Sequence, residues 1–315
     1  MAWIIVLARS IYDPARAGQR PRFDLIGAVL SAAGLLFIVL GLLQSRAYGF
    51  GASRKDFKIG DTVVIPKGSI SVVWILVLIG ALFLVWFFLH IRARERQRRD
   101  VLLPLRLFRN KVSNLGLGTQ LIQWLTLQGS FFVISVYLQE VDGYNAIKTG
   151  LLLTPATIGI LATSAAADRM ARRHPQRLLI IAGFASAAVG MSLLLVLVRA
   201  HSAVWTWVPG LLLFGAGLGI MLTSSVNVVQ SSFPDAEQGE ISGLSRSISN
   251  LGSSLGTALV GSILVAVTHP THKFAVALAV MLGCSLVGLL LGVLLPRQPR
   301  QSQAPTDAIP SARGS

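Results

Sequence analysis

The chain has 315 residues, of which 53% are hydrophobic and only 13% are charged. A soluble domain carries roughly 25% charged residues, so these proportions exclude a soluble globular domain as a description of the whole chain. The net charge of +15 comes from Lys and Arg clusters between long apolar segments. No zinc-finger spacing or aromatic RNA-binding motif accompanies those clusters, so we expect no nucleic-acid partner.

Eight apolar segments are each long enough to form a transmembrane helix, which needs about 20 residues. In chain order they lie at 24–43, 70–91, 112–138, 146–167, 177–198, 205–230, 241–268 and 274–295. The sequence therefore predicts an all-α, polytopic membrane protein with about eight transmembrane helices.

The segments between these helices divide the chain into five parts. Residues 1–23 are predicted to be a cytoplasmic stub, and residues 24–91 a pair of transmembrane helices. Residues 92–111 form a basic cytoplasmic loop, residues 112–295 a six-helix bundle, and residues 296–315 a disordered tail rich in Pro, Ser and Gln.

The distribution of basic residues predicts the orientation in the membrane. Placing both termini in the cytoplasm puts 19 of the 28 Lys and Arg residues on the inner side, as the positive-inside rule requires. The exception is the loop at 44–69, which carries five basic residues on the outer side. We expect a multi-pass protein of the cell membrane.

Five stretches of the chain carry a resemblance to a known family. They are Leu103–Asn110, Tyr137–Ala146, Thr149–Pro155, Asp168–Arg173 and Gly243–Gly261. Together they resemble the 14-helix drug:proton antiporters of the major facilitator superfamily. The resemblance implies that 24–91 is a linker pair between two six-helix bundles and that 112–295 is the C-terminal bundle. It also implies that residues 1–8 are the end of a sixth helix and that the first six helices are missing.

The function implied by this resemblance is proton-coupled efflux of several drugs or small molecules. It implies no cofactor, with a proton gradient as the energy source, and a small lipophilic or cationic substrate as partner beside the lipid bilayer. A missing N-terminal bundle is a further expected partner, since alternating access needs two bundles. The acidic residues fall in loops, tails or helix ends, so a non-transporting membrane scaffold stays open as an alternative. An enzyme is not expected, because no titratable groups converge at one membrane level.

A polar stripe along the helix at 112–138 is the candidate substrate-binding face. Its members recur at helical spacing, and the resemblance places this helix and the one at 205–230 beside a central cavity. The candidates are Gln120, Gln123, Trp124, Gln128 and Phe131, with Asn227 on the second helix. The alternative is that the amides only join neighbouring helices.

Two further sets of residues suggest helix packing and gating. The glycines predicted to allow close helix packing are Gly215, Gly219, Gly252 and Gly256. The resemblance suggests a gating or conformational role for Asp168, Arg169, Arg172, Arg173 and Arg246. Arg246 is the one basic residue well inside a predicted span, where a charge is a functional candidate. The other arginines are explained almost as well by the positive-inside rule.

Overall fold

The computed structural model describes residues 24–49, 51–59, 62–97, 110–198, 203–234, 238–267 and 272–296. The predicted stub at 1–23, most of the basic loop and nearly all of the predicted tail lie outside these described residues.

Nine helices and two short strands make up the described part of the chain. The strands are β1 (Phe57–Ile59) and β2 (Thr62–Ile65), and a single 3₁₀ turn at Val204–Thr206 leads into the seventh helix. The helices are α1 (Leu25–Tyr48), α2 (Val72–Arg96), α3 (Lys111–Glu140), α4 (Ala146–Leu152), α5 (Thr154–Arg173), α6 (Gln176–Leu197), α7 (Trp207–Gln230), α8 (Gln238–Ala266) and α9 (His272–Leu294).

The described helices confirm the predicted all-α, polytopic architecture. Seven of them are long and apolar enough to cross a membrane, and the bent pair α4–α5 makes an eighth span when counted as one. Three of the spans begin at a side-chain cap, since the side chains of Asp24, Ser71 and Asn110 accept backbone N–H groups in the first turns of α1, α2 and α3.

The predicted span at 146–167 is broken rather than straight. It divides at Leu153 into α4 and α5, which meet at an angle of 42°. Pro155 explains the break, because it has no N–H to donate to the preceding turn and its ring crowds the carbonyl of Leu151.

The bundle is built around α7 and α3. α7 packs against α5, α6 and α3, while α3 also packs against α8 and α9. The buried core between these helices is formed by large apolar side chains, among them Phe184, Met191, Phe214, Met221 and Met281.

The helix pair α1–α2 packs on the side of α8. Leu30, Phe87 and Ile91 form a buried cluster with Phe233 and Leu244, which flank the start of α8. Towards the other end of the helices, the Ser262 hydroxyl donates to the Ser45 hydroxyl at 3.3 Å. The pair is therefore docked along most of the length of α8.

α1 and α2 are nevertheless the most exposed spans among the described residues. Only 28% and 22% of their most apolar stretches are buried, against 61% for the span that contains α7. Their exposed side chains are mainly Leu, Ile, Val and Trp, which suits contact with lipid.

A small β-hairpin joins α1 to α2. β1 pairs with β2 in antiparallel register, and Ala52 and Ile70 form a further bridge below the strands. From sequence, 44–69 was predicted only as a loop. The signal for a hairpin was present, since Gly60-Asp61 separates Phe57-Lys58-Ile59 from the β-branched run Thr62–Ile65.

Candidate functional site

Gln120 on α3 forms a complete set of amide contacts with α8. Its side chain is 2% exposed, and its Nε2 donates to the hydroxyls of Ser245 and Ser249 at 2.7 and 2.9 Å. The Ser245 hydroxyl in turn donates to Gln120 Oε1 at 2.9 Å. Gln120 therefore joins α3 to α8 with both ends of its amide in use.

Gln123, one turn further along α3, is only half satisfied. Its Oε1 accepts from the Ser225 hydroxyl of α7 at 2.6 Å. Its Nε2 is buried and has no hydrogen-bond partner among the described residues. A buried N–H without a partner is costly. A hydrogen bond from this amide to a water or to a polar group of a ligand would therefore stabilise it.

The other members of the predicted stripe on α3 lie in different surroundings, and the Phe131 ring lies 5.9 Å from the Phe214 ring of α7, centroid to centroid. Trp124 and Phe131 are half-buried, and Gln128 is exposed. Gln123 and Gln128 lie about 140° apart around the helix, so the stripe is too wide to face a single neighbour. The structure brings Gln120 and Gln123 into helix contacts and leaves Gln128 open.

The remaining candidate of the substrate set lies on α7. Asn227 is half-buried and lies about 200° around the helix from Ser225, away from the Gln123 contact. The binding role of these residues stays a prediction.

The candidate packing glycines lie where two helix backbones approach. A Cβ at Gly215 or Gly219 of α7 would collide with backbone atoms of Ala156 or Ile160 in α5. A Cβ at Gly252 or Gly256 of α8 would meet the Leu121 or Leu125 carbonyl oxygen of α3 in the same way. The last of these glycines lies two turns beyond the serines that bind Gln120.

The candidate gating residues lie on exposed surfaces of two helices. Arg169, Arg172 and Arg173 are exposed in the last turns of α5, whereas the side chain of Asp168 lies outside the description. Arg246 is exposed on α8, next in sequence to the buried Ser245. Their gating role stays a prediction.

Comparison with known proteins identifies the family of this helical bundle. The sequence pattern of the Major Facilitator Superfamily matches residues 63–257. The chain belongs to this superfamily. The matched range runs from β2 through most of α8 and therefore includes the α3 amides and their partners on α7 and α8.

Several curated proteins are similar over most of the chain. A probable actinorhodin transporter of Streptomyces coelicolor is 24% identical over 82% of the chain and 42% of its own length. The puromycin resistance protein pur8 of Streptomyces alboniger is 27% identical over 89% and 55%, respectively. The multidrug resistance protein Stp of Mycobacterium tuberculosis is 26% identical over 84% and 45%. The chain therefore spans about half the length of these relatives.

Sequence reasoning missed the hydroxyl partners of the amides. Ser245 and Ser249 are spaced four residues apart on α8, which places them on one helical face. Ser225 lies on the glycine-rich α7. A four-residue serine spacing within an apolar span was the available signal.

A buried carboxylate at the start of α1 was also missed. Asp24 is 3% exposed, and its Oδ1 accepts from the Gly27 N–H at 3.0 Å. The same oxygen lies 3.1 Å from His90 Nε2 and 3.2 Å from Arg94 Nη1, both on α2. We call Asp24, His90 and Arg94 the clasp, because it joins the start of α1 to the end of α2.

The electrostatics of the clasp favour an ionised Asp24. Burial raises the pKa of this carboxyl, but hydrogen bonds from Gly27 and His90, with the positive charge of Arg94, outweigh it. The net effect holds the pKa of Asp24 below its ordinary value. His90 and Arg94 occur four residues apart on α2, and that spacing was the sequence signal for a shared partner.

Proposed function

We propose that this chain is the C-terminal part of a proton-coupled efflux permease for small lipophilic or cationic molecules. In this proposal α1 and α2 are the linker pair of a 14-helix transporter, and α3 to α9 form its C-terminal bundle. Three relatives whose names describe transport of actinorhodin, resistance to puromycin and multidrug resistance support the substrate class.

The observation that carries the proposal is the amide-bearing face of α3. Its open part is formed by the half-buried Trp124 and the exposed Gln128, four residues apart, and the neighbouring Gln123 keeps a buried Nε2 without a partner among the described residues. Amides offer hydrogen bonds and Trp offers an aromatic face to a cation, whereas lipid offers a partner to neither amide. This face therefore suits contact with a substrate or with another protein segment.

A second bundle is part of the proposal because α8 presents a polar face that lipid cannot satisfy. Ser242, Arg246 and Asn250 recur every four residues along α8, and all three are exposed. Asn250 lies about 18 Å along α8 from Gln238, at a depth where an amide facing hydrocarbon is unfavourable. A second six-helix bundle covering this face would supply polar partners and the other half of an alternating-access transporter.

The orientation and energy source complete the proposal. Both chain ends face the cytoplasm of the cell, and the proton gradient drives export without a cofactor. We place the carboxylates that couple protons to transport in the N-terminal bundle, since the described acidic residues of this chain lie at helix ends and in loops.

Accumulation of ethidium in an efflux-deficient bacterium tests this proposal. The 315-residue chain expressed by itself should leave ethidium accumulation unchanged, because one bundle cannot alternate access. Co-expression with the N-terminal six helices of a similar transporter should lower accumulation, and a protonophore should abolish the effect.

The control replaces the α8 polar face with Arg246→Leu and Asn250→Leu together, which should prevent productive pairing of the two bundles. Proton-dependent efflux by the chain alone would refute the need for a second bundle. Absence of efflux with every N-terminal bundle tried, together with crosslinking to one unrelated protein, would favour the scaffold alternative.

A further inference from the structure

The β-hairpin between α1 and α2 exposes apolar and basic side chains together. Val63, Val64 and Ile70 are 44%, 52% and 70% exposed. Three basic side chains are also exposed on the same short segment, namely Arg54, Lys55 and Lys67. Exposed apolar side chains on one short segment indicate contact with an apolar neighbour. The basic side chains beside them indicate that this neighbour is also anionic.

The base of the hairpin is fixed to the two helix ends. The Ser71 hydroxyl donates to the Gly49 carbonyl oxygen at 2.7 Å, and the Arg54 N–H donates to the Tyr48 carbonyl oxygen at 3.0 Å. The rings of Tyr48 and Phe57 also meet edge to face with centroids 5.6 Å apart. The hairpin is therefore held close to the end of the span.

The aromatic side chains mark the level of the membrane surface at this end. Trp74 lies four residues after Ile70 and is 52% exposed, and Trp205, which precedes α7 at the same end of the bundle, is 82% exposed. Exposed Trp residues favour the headgroup level of a bilayer. Ile70 and the base of the hairpin lie next to that level.

Lipid is the neighbour available to the hairpin. It emerges from α1 and α2, which are the least buried spans of the described chain, at 28% and 22%. The one described carboxylate of the hairpin, Asp56, accepts the Lys67 backbone N–H at 2.7 Å and so helps to hold the turn.

We propose that the hairpin binds the anionic phospholipid surface at its end of the bundle. Val64 and Ile70 enter the boundary between headgroups and acyl chains, and Arg54, Lys55 and Lys67 pair with lipid phosphates. Interfacial segments that combine apolar and basic side chains bind anionic lipids in this way. This inference goes beyond the transport function and does not rest on it.

A spin label on the hairpin tests the proposal with the purified chain in lipid nanodiscs. The label is attached to Val64→Cys in a Cys284→Ser background, and its accessibility to oxygen and to a water-soluble nickel complex is measured. In discs containing phosphatidylglycerol, the oxygen-to-nickel ratio should exceed the ratio in phosphatidylcholine discs by about twofold or more, since the label moves toward the acyl chains. The double change Lys55→Glu and Lys67→Glu should remove this dependence on phosphatidylglycerol.

Two controls keep the outcome interpretable. A label at Ala146→Cys, exposed at the start of α4 on the same side, should stay accessible to nickel in both lipids. Varying the phosphatidylglycerol fraction with the natural charges gives the same test without a variant that could misfold. Equal nickel accessibility at Val64 in both lipids would overturn the proposal, as would spin–spin broadening from a second copy paired along the strand edge.

Discussion

Gln120 and Gln123 lie one turn apart on α3 and differ in how completely the fold satisfies their amides. Gln120 binds two serines of α8, whereas Gln123 binds one serine of α7 and keeps a buried Nε2 without a partner among the described residues. The first residue therefore contributes mainly to helix association, and the second is the better candidate for contact with a ligand or a water.

Replacing Gln120 with Leu should destabilise the bundle. Interhelical hydrogen bonds in membranes contribute on average about 0.6 kcal/mol each, so the loss of the serine contacts should lower the free energy of unfolding by about 1 kcal/mol. Unfolding in detergent measures the loss, and Gln128→Leu on the exposed side of the same helix is the matched control. An equal effect of both substitutions would contradict a specific role for the α8 contacts.

The clasp should make stability depend on pH through Asp24. Because the pKa of Asp24 is lower in the folded chain than in the unfolded chain, its carboxylate stabilises the fold above the unfolded pKa. This contribution is lost as the pH falls through the lower, folded pKa. The melting temperature of Asp24→Asn should therefore lie below that of the natural chain at pH 7, and the difference should shrink below about pH 4.

Glu140→Gln is the control for that measurement. Glu140 pairs with Lys273 at 2.7 Å, but its side chain is 54% exposed, and exposed ion pairs contribute about 0–1 kcal/mol. A difference between Asp24→Asn and the natural chain that persisted unchanged at acid pH would argue against a stabilising carboxylate.

At the scale of whole helices, glycines set the distance between α8 and α3. A Cβ placed on Gly256 would collide with the Leu125 carbonyl oxygen and lie 3.0 Å from the Gly129 nitrogen. Backbone rather than a flexible side chain would therefore have to move. A Cβ placed on Gly283 of α9 would meet no atom within 4 Å. The two glycines form a natural pair for comparison.

Gly256→Ala should lower stability, and Gly283→Ala should not. Overpacking a tight contact costs about 1–3 kcal/mol, whereas Ala at an open helical site gains about 0.5–1 kcal/mol over Gly. Melting temperatures of the two variants in the same detergent decide the matter. If the Gly256 variant were as stable as the Gly283 variant, the close approach of α8 to α3 would be unsupported.

The helices show which features of the fold could be predicted from sequence. Span positions follow from apolar length alone, and the α1, α2 and α3 starts coincide with Asp24, Ser71 and Asn110. The break at Leu153 was missed, although Pro155 was its signal, because a proline near a helix start and a proline that kinks a span look alike in sequence. The hairpin was missed because two strands of three and four residues give too short a pattern.

The candidate site was less predictable than the helices for a physical reason. Helical spacing placed Gln120, Gln123 and Gln128 on one broad stripe, but it cannot say which neighbour each part of a stripe meets. The serines of α8 and the carboxylate of the clasp acquire their roles from contacts between residues up to 129 positions apart. Such pairings depend on the packing of helices, which one sequence does not specify.

At the scale of the whole molecule, the alternation of spans predicts opposite sides for the hairpin and for the end of α2. In a Cys284→Ser background, a membrane-impermeant maleimide should label Ala146→Cys, exposed at the start of α4 on the hairpin side, in intact cells. It should label Gln97→Cys, exposed after α2, only after the membrane is permeabilised. The reverse pattern would invert the proposed orientation, and labelling of both in intact cells would indicate a mixed topology.

The clasp has a mechanical consequence for the helix pair that it closes. α1 and α2 are joined by peptide backbone at the hairpin end and by Asp24, His90 and Arg94 at the other, so the pair is a ring rather than an open hairpin. A ring of this kind resists sliding of one helix along the other. The pair would also stay associated after its backbone is cut. A protease that cleaved the hairpin would therefore leave two fragments that still purify together in a mild detergent.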